Sequence, residues 1–326
     1  MSSSPAPETT GTPATEEPTS ETTGTPATEE PTSETTRTPA TEEPTSETTR
    51  TPATEEPTSG ERWEWNQERY RDGVFSHAVA TERERLTLLE SVLDHHTRAR
   101  FEALGLTTGH RVLEVGGGGG SVARWLAGQG AEVTVTDLDT TFLDELADEG
   151  VRVLRHDVYT EDFPPGSFDF IHARYVVIHL PDPEKALARL VEWLAPGGIL
   201  VLEEPAFFPI KDSPHPAYRK VMRAFRTHLE SAVGTDTEWA RTFPVPFEGK
   251  GLGHIGYDAR FQRIRGGDDE ARWWQLTLEQ TREAVVAEGL ATDEEFAAAY
   301  ADLDDPSFHD LSLAVFTAWG VKESGA

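Results

Sequence analysis

The sequence of 326 residues contains no cysteine. Disulfide bonds, thiolate metal sites and a cysteine nucleophile are therefore excluded. No run of about 18 consecutive apolar residues occurs either, so we expect no transmembrane helix. The N-terminus has neither the basic segment nor the apolar segment of a secretory signal, and we expect a cytoplasmic protein.

Basic residues are scarce. Lysine and arginine together number 29, against 58 aspartates and glutamates, which gives a formal net charge of −29. The first sixty residues carry 12 of the glutamates and 2 of the arginines, so most of the negative charge lies in the remainder. Because nucleic acids and anionic membranes are bound through clusters of lysine and arginine, we expect neither as a partner.

Residues 8–59 are four copies of a 13-residue unit, ETT[G/R]TPATEEPTS. The unit has no aromatic and no large aliphatic side chain, so nothing in it can offset the entropy lost on ordering. We therefore predict that residues 1–60 are a disordered tail. Such a tail could serve as a solubilising arm, a tether or a partner-binding segment, but we favour a neutral repeat expansion.

The sequence from Arg111 to Asp139 is the most informative part of the chain. An apolar β-prone run is followed by five glycines, a helical pattern and a second apolar run that ends at Asp137. A glycine turn that opens a helix presents backbone N–H groups to a ligand. An acid about 20 residues further on can hold a ribose diol. This pattern predicts a nucleoside-binding unit.

The loop by itself leaves the nucleoside open. Gly118, Gly120 and Ala123 also fit the looser dinucleotide pattern G-x-G-x-x-A, and similar turns serve ATP, NAD and FAD. Glu114 adds information, because an acid two residues before the first glycine would repel a pyrophosphate but attract an ammonium group. The E-x-G-x-G-x-G run from Glu114 to Gly120 resembles motif I of the class I S-adenosylmethionine-dependent methyltransferases.

Later segments extend this resemblance. A predicted third strand ends at Asp157-Val158, where the family reads the adenine ring with an acid and the next backbone N–H. Phe168-Asp169 begins a segment similar to the family's fourth strand, and L-x-P-G-G before the fifth strand is a more specific phrase. Acids follow four strands: Glu114, Asp137, Asp157 and Glu203/Glu204. A capping acid at a strand end is the simpler alternative for Asp157.

The resemblance covers about residues 62–320 and implies an α/β fold. We expect a seven-stranded Rossmann-like sheet, mostly parallel with an antiparallel last strand. Within a domain of residues 61–326, residues 61–108 are a helical cap, 109–204 the cofactor-binding core, 205–253 a substrate lid inserted after the fifth strand, and 254–326 the C-terminal strands and helices. Two cap helices are predicted, at 78–93 and 96–104.

Aromatic residues mark the cap and the lid. Tyr70 and Phe75 resemble the aromatic cap that covers the cofactor, although they could equally pack one helix onto the domain. The predicted lid aromatics favour a flat or apolar acceptor; they are Phe207, Phe208, Trp239, Phe243, Trp273 and Trp274. We expect S-adenosylmethionine to be bound by Tyr70, Phe75, Glu114, Gly116, Gly118, Gly120, Asp137, Leu138, Asp157, Val158 and Arg174.

Methyl transfer to a hydroxyl needs a base in reach. His179 follows the fourth strand and Glu204 ends the fifth, and related small-molecule enzymes place a histidine and an acid there. A pair of these two would make the imidazole more basic. Alternatively, His179 caps the next helix or contacts the cofactor. The acids show no recognisable ligand spacing, so we expect no metal.

These observations predict methyl transfer to an O or N atom of a small aromatic or apolar metabolite, as in secondary metabolism. A peptide or protein acceptor is the variant of this function. A protein that binds S-adenosylmethionine without transferring its methyl group is the competing class, and a dehydrogenase is more distant. A homodimer is compatible with the sequence, which does not fix the oligomeric state.

Overall fold

The computed structural model describes residues 74–325. The repeats, the predicted tail and Tyr70 lie outside the described residues, so the interpretations made for them stay predictions. Across residues 74–325, no helix is long and apolar enough to cross a membrane.

The described residues form six α-helices and seven β-strands. In chain order these are α1 (Glu82–Ala103), β1 (Arg111–Val115), α2 (Ser121–Gly128), β2 (Glu132–Asp137), β3 (Arg152–Arg155), β4 (Phe168–Arg174), α3 (Pro183–Trp193), β5 (Leu194–Ala206), α4 (Pro216–His228), β6 (Leu252–Arg265), α5 (Asp269–Ala287), α6 (Asp293–Asp304) and β7 (His309–Lys322). Short 3-10 turns lie at Asp144–Glu149, Val177–His179, Ile210–Asp212, Trp239–Thr242 and Val245–Phe247, and a π-helical turn at Leu229–Val233.

The strands form one sheet in the order β3-β2-β1-β4-β5-β7-β6. The first five run parallel, and β7 is antiparallel to both β5 and β6. The chain order reverses between β1 and β4, and open α/β sheets bind ligands at the carboxyl ends of the strands beside such a switch point. The predicted seven-stranded fold is therefore confirmed, and it places the ligand site beyond β1.

Two apolar clusters cover the two faces of this sheet. Successive strand residues alternate between them, because side chains of a strand point to opposite faces. Val112 and Phe170 belong to the cluster that packs under α2, whereas Leu113 and Ile171 belong to the larger cluster that reaches α3, α4 and α5. Both faces are thus buried, as expected for a parallel sheet.

The helix before the sheet differs from the prediction. One helix, α1, replaces the two predicted helices at 78–93 and 96–104. No glycine or proline occurs within it, so nothing interrupts its backbone hydrogen bonding. Polar side chains lie on its buried side, among them Arg85, Asp94 and Thr97. This side faces polar groups at the strand ends, so hydrophobic spacing is a poor guide to its packing.

The C-terminal strands are longer than predicted. β6 was expected at 257–264 and spans Leu252–Arg265, and β7 was expected at 311–319 and spans His309–Lys322. The two strands pair along most of their length, and pairing extends the ladder through residues whose own sequence pattern is weak.

Candidate functional site

A cavity opens at the carboxyl ends of β1, β2 and β4, and it encloses about 1340 Å³ of space not filled by protein atoms, part of it open to solvent. Its lining has two parts. The first, which we call the loop half, consists of the glycine turn, the ends of β2 and β3 and part of α1; it includes residues 116–119, 136–138, 156–158, Leu86, Leu89 and Glu90. The second, the acceptor half, is mainly aromatic and apolar; it includes Tyr175, Val176, His179, Phe207, Phe225, Leu229, Trp273, Trp274, Thr277 and Leu313.

The glycine turn has a shape that only glycine allows. Gly116, Gly118 and Gly120 have φ values of 68°, 54° and 87°, in the left-handed region that favours glycine. Gly117 has no such backbone requirement, but a Cβ there would lie 2.3 Å from Val135 Cγ2. The turn is held to β2 because the N–H groups of Gly116 and Gly117 donate to Thr136 O at 2.8 and 3.0 Å. The result is a backbone surface to which a ligand can come close.

Asp137 lies where the motif predicts. Its Oδ2 accepts from Gly118 N at 3.0 Å and its Oδ1 from Asp139 N at 3.2 Å. The side chain therefore fixes the glycine turn as well as lining the cavity. Desolvation raises the pKa of Asp137, although the backbone hydrogen bonds from Gly118 and Asp139 act in the opposite direction. Leu138, the next residue, also lines the cavity.

Asp157 and Val158 line the cavity at the end of β3. Asp157 is buried, and its carboxylate accepts from Tyr159 N and from Thr160 Oγ1, both at 2.8 Å. The capping role and the ligand-facing position thus coexist in one side chain. The assignment to adenine stays a prediction.

Glu114 is placed differently from the expectation. It lies outside the group of cavity-lining residues, and its Oε2 is 2.7 Å from His172 Nδ1. His172 is fully buried, and its Nε2 is 3.7 Å from Glu203 Oε2. Burial opposes the charged imidazole, but Glu114 and Glu203 raise the pKa of His172 to about 9. The carboxylate that was expected to meet an ammonium group is therefore already paired with an imidazolium.

Glu90 on α1 is a cavity-lining acid that the motif analysis missed. Its Oε1 accepts from Ser121 N at 3.2 Å, and a Cβ on Gly119 would lie 2.6 Å from the same oxygen. Burial and the nearby Asp94 raise the pKa of Glu90, while the Ser121 hydrogen bond lowers it. No sequence motif identifies Glu90, because it reaches the glycine turn only through the packing of α1 on α2.

Arg174 lines the cavity at the end of β4. It donates to Thr97 Oγ1 at 2.9 Å and to Asp94 Oδ1 at 3.0 Å, both on α1. Thr97 also donates to Glu203. Arg174 therefore ties α1 to the sheet beside the cavity.

His179 and Glu204 do not form the expected arrangement. His179 is buried in the acceptor half, with Nδ1 2.9 Å from Thr235 Oγ1. Glu204 lies outside the group of lining residues and accepts from Val177 N at 2.7 Å and Val176 N at 3.3 Å. Burial and the positive charge of Arg85 lower the pKa of His179 to about 4. The predicted rise in imidazole basicity is therefore wrong, because desolvation dominates.

The pKa of Glu204 is also shifted from its ordinary value. Burial raises its pKa to about 8, although the backbone N–H groups that it accepts favour the charged form. The side chain consequently shapes the turn after β4 rather than facing a ligand.

Some of the predicted aromatic residues line the cavity and others do not. Phe75 lines the cavity with a left-handed backbone (φ 66°), and the Arg85 guanidinium lies 4.5 Å from its ring centre. Phe207, Trp273 and Trp274 also line the cavity. Phe208 instead contacts Phe261 on β6, and Trp239 contacts Phe243.

Residues that sequence reasoning missed complete the acceptor half. Tyr175 has a left-handed backbone (φ 58°) directly after β4, where the chain turns out of the sheet. Phe225 and Leu229 come from α4 and the π-helical turn that follows it. Arg85 pairs with Glu82 through two hydrogen bonds of 2.7 Å at the cavity wall. Helical spacing puts Phe225 and Leu229, four residues apart, on one apolar face, but it does not place Tyr175 or Arg85.

The loop half fits a sulfonium nucleoside. It offers backbone groups of a turn in which a Cβ on Gly116, Gly117 or Gly119 would lie within 2.6 Å of another side chain, and it offers two acids at strand ends. Among residues 74–325, no group of three or more His, Asp or Glu side chains could hold a metal ion.

Comparisons with known proteins agree with this geometry. A family model described as a methyltransferase domain matches residues 59–278. Methyltransferase str3 of Strobilurus tenacellus is 35% identical over 99 residues, which cover 30% of this chain and 36% of the relative. The ubiquinone/menaquinone biosynthesis C-methyltransferase UbiE of Vibrio vulnificus is 31% identical over 174 residues, covering 48% of this chain and 64% of the relative.

The chain thus spans less than two thirds of either relative. The crystal structure of the YcgJ protein from Bacillus subtilis superimposes with a TM-score of 0.50 at 17% identity, covering 71% of this chain and all of that protein, which shows the shared fold. The matched model, the strand order and the glycine turn together place the protein among the class I S-adenosylmethionine-dependent methyltransferases, a family to which this chain belongs.

Proposed function

We propose that this protein transfers the methyl group of S-adenosylmethionine to an O or N atom of a small apolar acceptor. The single observation that carries the proposal is the continuity of one cavity from the glycine turn to an aromatic half. Cofactor and acceptor can therefore meet inside one enclosure, as an in-line displacement requires.

The loop half would hold the cofactor. The turn from Gly116 to Gly119 supplies backbone groups, Asp137 a carboxylate for the ribose, and Asp157 with Val158 the contacts for the base. Phe75 lies at the same cavity. When bound, S-adenosylmethionine supplies a methyl group on a sulfonium leaving group, so positioning by the protein contributes most of the remaining rate.

His179 is the residue that we assign to proton removal. Its lowered pKa keeps the imidazole neutral at physiological pH, and its Nδ1 is engaged with Thr235 Oγ1. We give Glu204 no proton-transfer role, because it faces backbone N–H groups of the turn after β4.

The acceptor half determines what can be methylated. Phe207, Phe225, Trp273, Trp274 and Leu313 favour a flat or apolar molecule over an extended peptide. A carbon acceptor is a second candidate, because the Vibrio vulnificus relative is named as a C-methyltransferase. Such an acceptor also loses a proton, so the role of His179 would be the same.

Calorimetry on the full chain tests the cofactor part of the proposal. We expect S-adenosylmethionine and S-adenosylhomocysteine to bind and NADH not to bind. Binding of NADH alone would contradict the proposal and favour the dehydrogenase alternative.

Transfer of labelled methyl to a panel of phenols, amines and activated-carbon compounds tests the reaction. We expect His179→Ala to lower kcat by roughly 100-fold or more for acceptors that lose a proton, with unchanged S-adenosylhomocysteine affinity. The exposed His95→Ala on α1 is the matched control. Bound cofactor without transfer to any compound would favour a non-methylating binding protein, and transfer only to peptides would overturn the small acceptor.

The pH profile gives an independent check of His179. A base acts when deprotonated, so activity should persist as the pH falls until it approaches the His179 pKa of about 4. Loss of activity near pH 6.5, the ordinary value for histidine, would mean that burial does not control this side chain.

A further inference from the structure

Two polar groups in the acceptor half have no hydrogen-bond partner in the part of the chain that the structure describes. They are the indole Nε1 of Trp273 and the Oγ1 of Thr277. Both residues line the cavity and are almost fully buried, with exposed fractions of 4% and 1%. They are four residues apart on α5, so they lie on one face of the helix.

Neighbouring residues of the same types on α5 are satisfied. Trp274 Nε1 donates to Ser312 Oγ at 2.7 Å, and Thr281 Oγ1 donates to Leu278 O at 3.1 Å within the helix. Buried donors are nearly always paired, because an unpaired one loses its hydration without replacement. The helix can therefore satisfy such donors, as it does for Trp274, which also lines the cavity, whereas the donors of Trp273 and Thr277 have no partner among the described residues.

The charged groups of this half already have partners. Arg85 and Glu82 form a bidentate pair, and Gln280 Nε2 also donates to Glu82 Oε2 at 2.5 Å. Burial lowers the pKa of His179, so its ring is neutral. Burial raises the pKa of Tyr175, so its hydroxyl stays protonated. Among residues 74–325, the surroundings of Trp273 and Thr277 thus offer hydrogen-bond donors and no unpaired carboxylate for a cationic acceptor.

We propose that Trp273 and Thr277 are specificity-determining residues. They select an apolar acceptor that carries a neutral oxygen, such as a ketone carbonyl, and this oxygen accepts a hydrogen bond from each of the two side chains. This inference rests on the proposed function, because only that function makes the bound molecule the methyl acceptor. The indole N–H can only donate, and the Thr277 hydroxyl can donate at the same time. A protonated amine has no such oxygen and finds no unpaired carboxylate among the described residues that line this half.

Matched ketone and hydrocarbon probes test the inference without knowledge of the natural acceptor. The pairs are 2-acetylnaphthalene with 2-ethylnaphthalene, and 9-fluorenone with fluorene. Equilibrium dialysis against the full chain measures their affinities, with and without saturating S-adenosylhomocysteine. At about fivefold for each hydrogen bond, two bonds predict a preference of roughly 25-fold for the ketone in at least one pair.

Three variants locate the preference. Trp273→Phe and Thr277→Val should each reduce it about fivefold, and the double variant should abolish it while the hydrocarbon still binds. Thr281→Val is the matched control and should leave the preference unchanged. A double variant that keeps the preference, or a wild type that prefers the ketone in neither pair, would overturn the inference.

A failure of the proposed function is distinguishable from a failure here. If calorimetry detects no S-adenosylhomocysteine binding, the methyl-transfer proposal fails, whereas the ketone preference measured without it still reports on Trp273 and Thr277. If S-adenosylhomocysteine binds and the preference is absent, only the selectivity proposal is refuted.

Discussion

Raising the pH should destabilise the fold through one buried histidine. His172 on β4 lies between Glu114 on β1 and Glu203 on β5, with nitrogen–oxygen distances of 2.7 and 3.7 Å. Burial alone would lower its pKa, but the two carboxylates raise the pKa from 6.5 to about 9. His172 is therefore an imidazolium that joins three neighbouring strands.

The sign and size of the effect follow from this pKa. Because His172 binds its proton more tightly in the folded state, the stabilisation is complete below pH 6.5 and is lost as the pH rises through 9. The difference between the folded and unfolded pKa values corresponds to about 3 kcal/mol of unfolding free energy. This is a large part of the stability of a typical domain.

Urea unfolding between about pH 6 and about pH 10 measures the loss, and NMR titration of the His172 ring measures its pKa directly. The exposed His95→Gln is the control and should show the same pH dependence as the wild type. His172→Ala should cost about 3–5 kcal/mol near pH 7, because it leaves two buried carboxylates without their partner. A His172 ring that titrates near 6.5 would refute the reasoning.

Three further predictions concern single residues. Gly117→Ala should lower the free energy of unfolding in urea by about 1–3 kcal/mol and weaken S-adenosylhomocysteine binding, since its Cβ would lie 2.3 Å from Val135 Cγ2. Gly128→Ala is the control and should stabilise α2, because a Cβ there meets nothing within 4 Å. Equal effects of the two variants on the free energy of unfolding would contradict this prediction. Glu204→Gln should change the unfolding free energy near pH 7 by less than about 1 kcal/mol, because the raised pKa makes Glu204 neutral there; a loss of more than about 3 kcal/mol would show that it is charged. Thr292→Ala should cost about 1 kcal/mol by removing the capping box of α6, and an unchanged melting temperature would refute that role.

The agreement between prediction and structure was best where local chemistry dictates the backbone. The glycine turn has the left-handed backbone that its motif predicts, and Asp137 ends β2 beside it, because both features depend on residues close together in the chain. The cap helix was predicted as two helices, since most of its buried side chains are polar and hydrophobic spacing does not reveal one continuous helix. Long-range pairing likewise extended β6 and β7 beyond their sequence patterns.

The candidate site likewise combines features that the sequence predicts with features that depend on tertiary contacts. The order of apolar runs, glycines and strand-end acids determined by itself that the chain forms a Rossmann-like sheet with a nucleoside site beyond β1. Only the tertiary structure decided that Glu114 pairs with His172, that Glu90 reaches the glycine turn, and that burial makes His179 less basic instead of more. Motifs specify which groups follow a strand, whereas the pairing and the pKa of a side chain depend on neighbours and on burial, which come from residues tens of positions away.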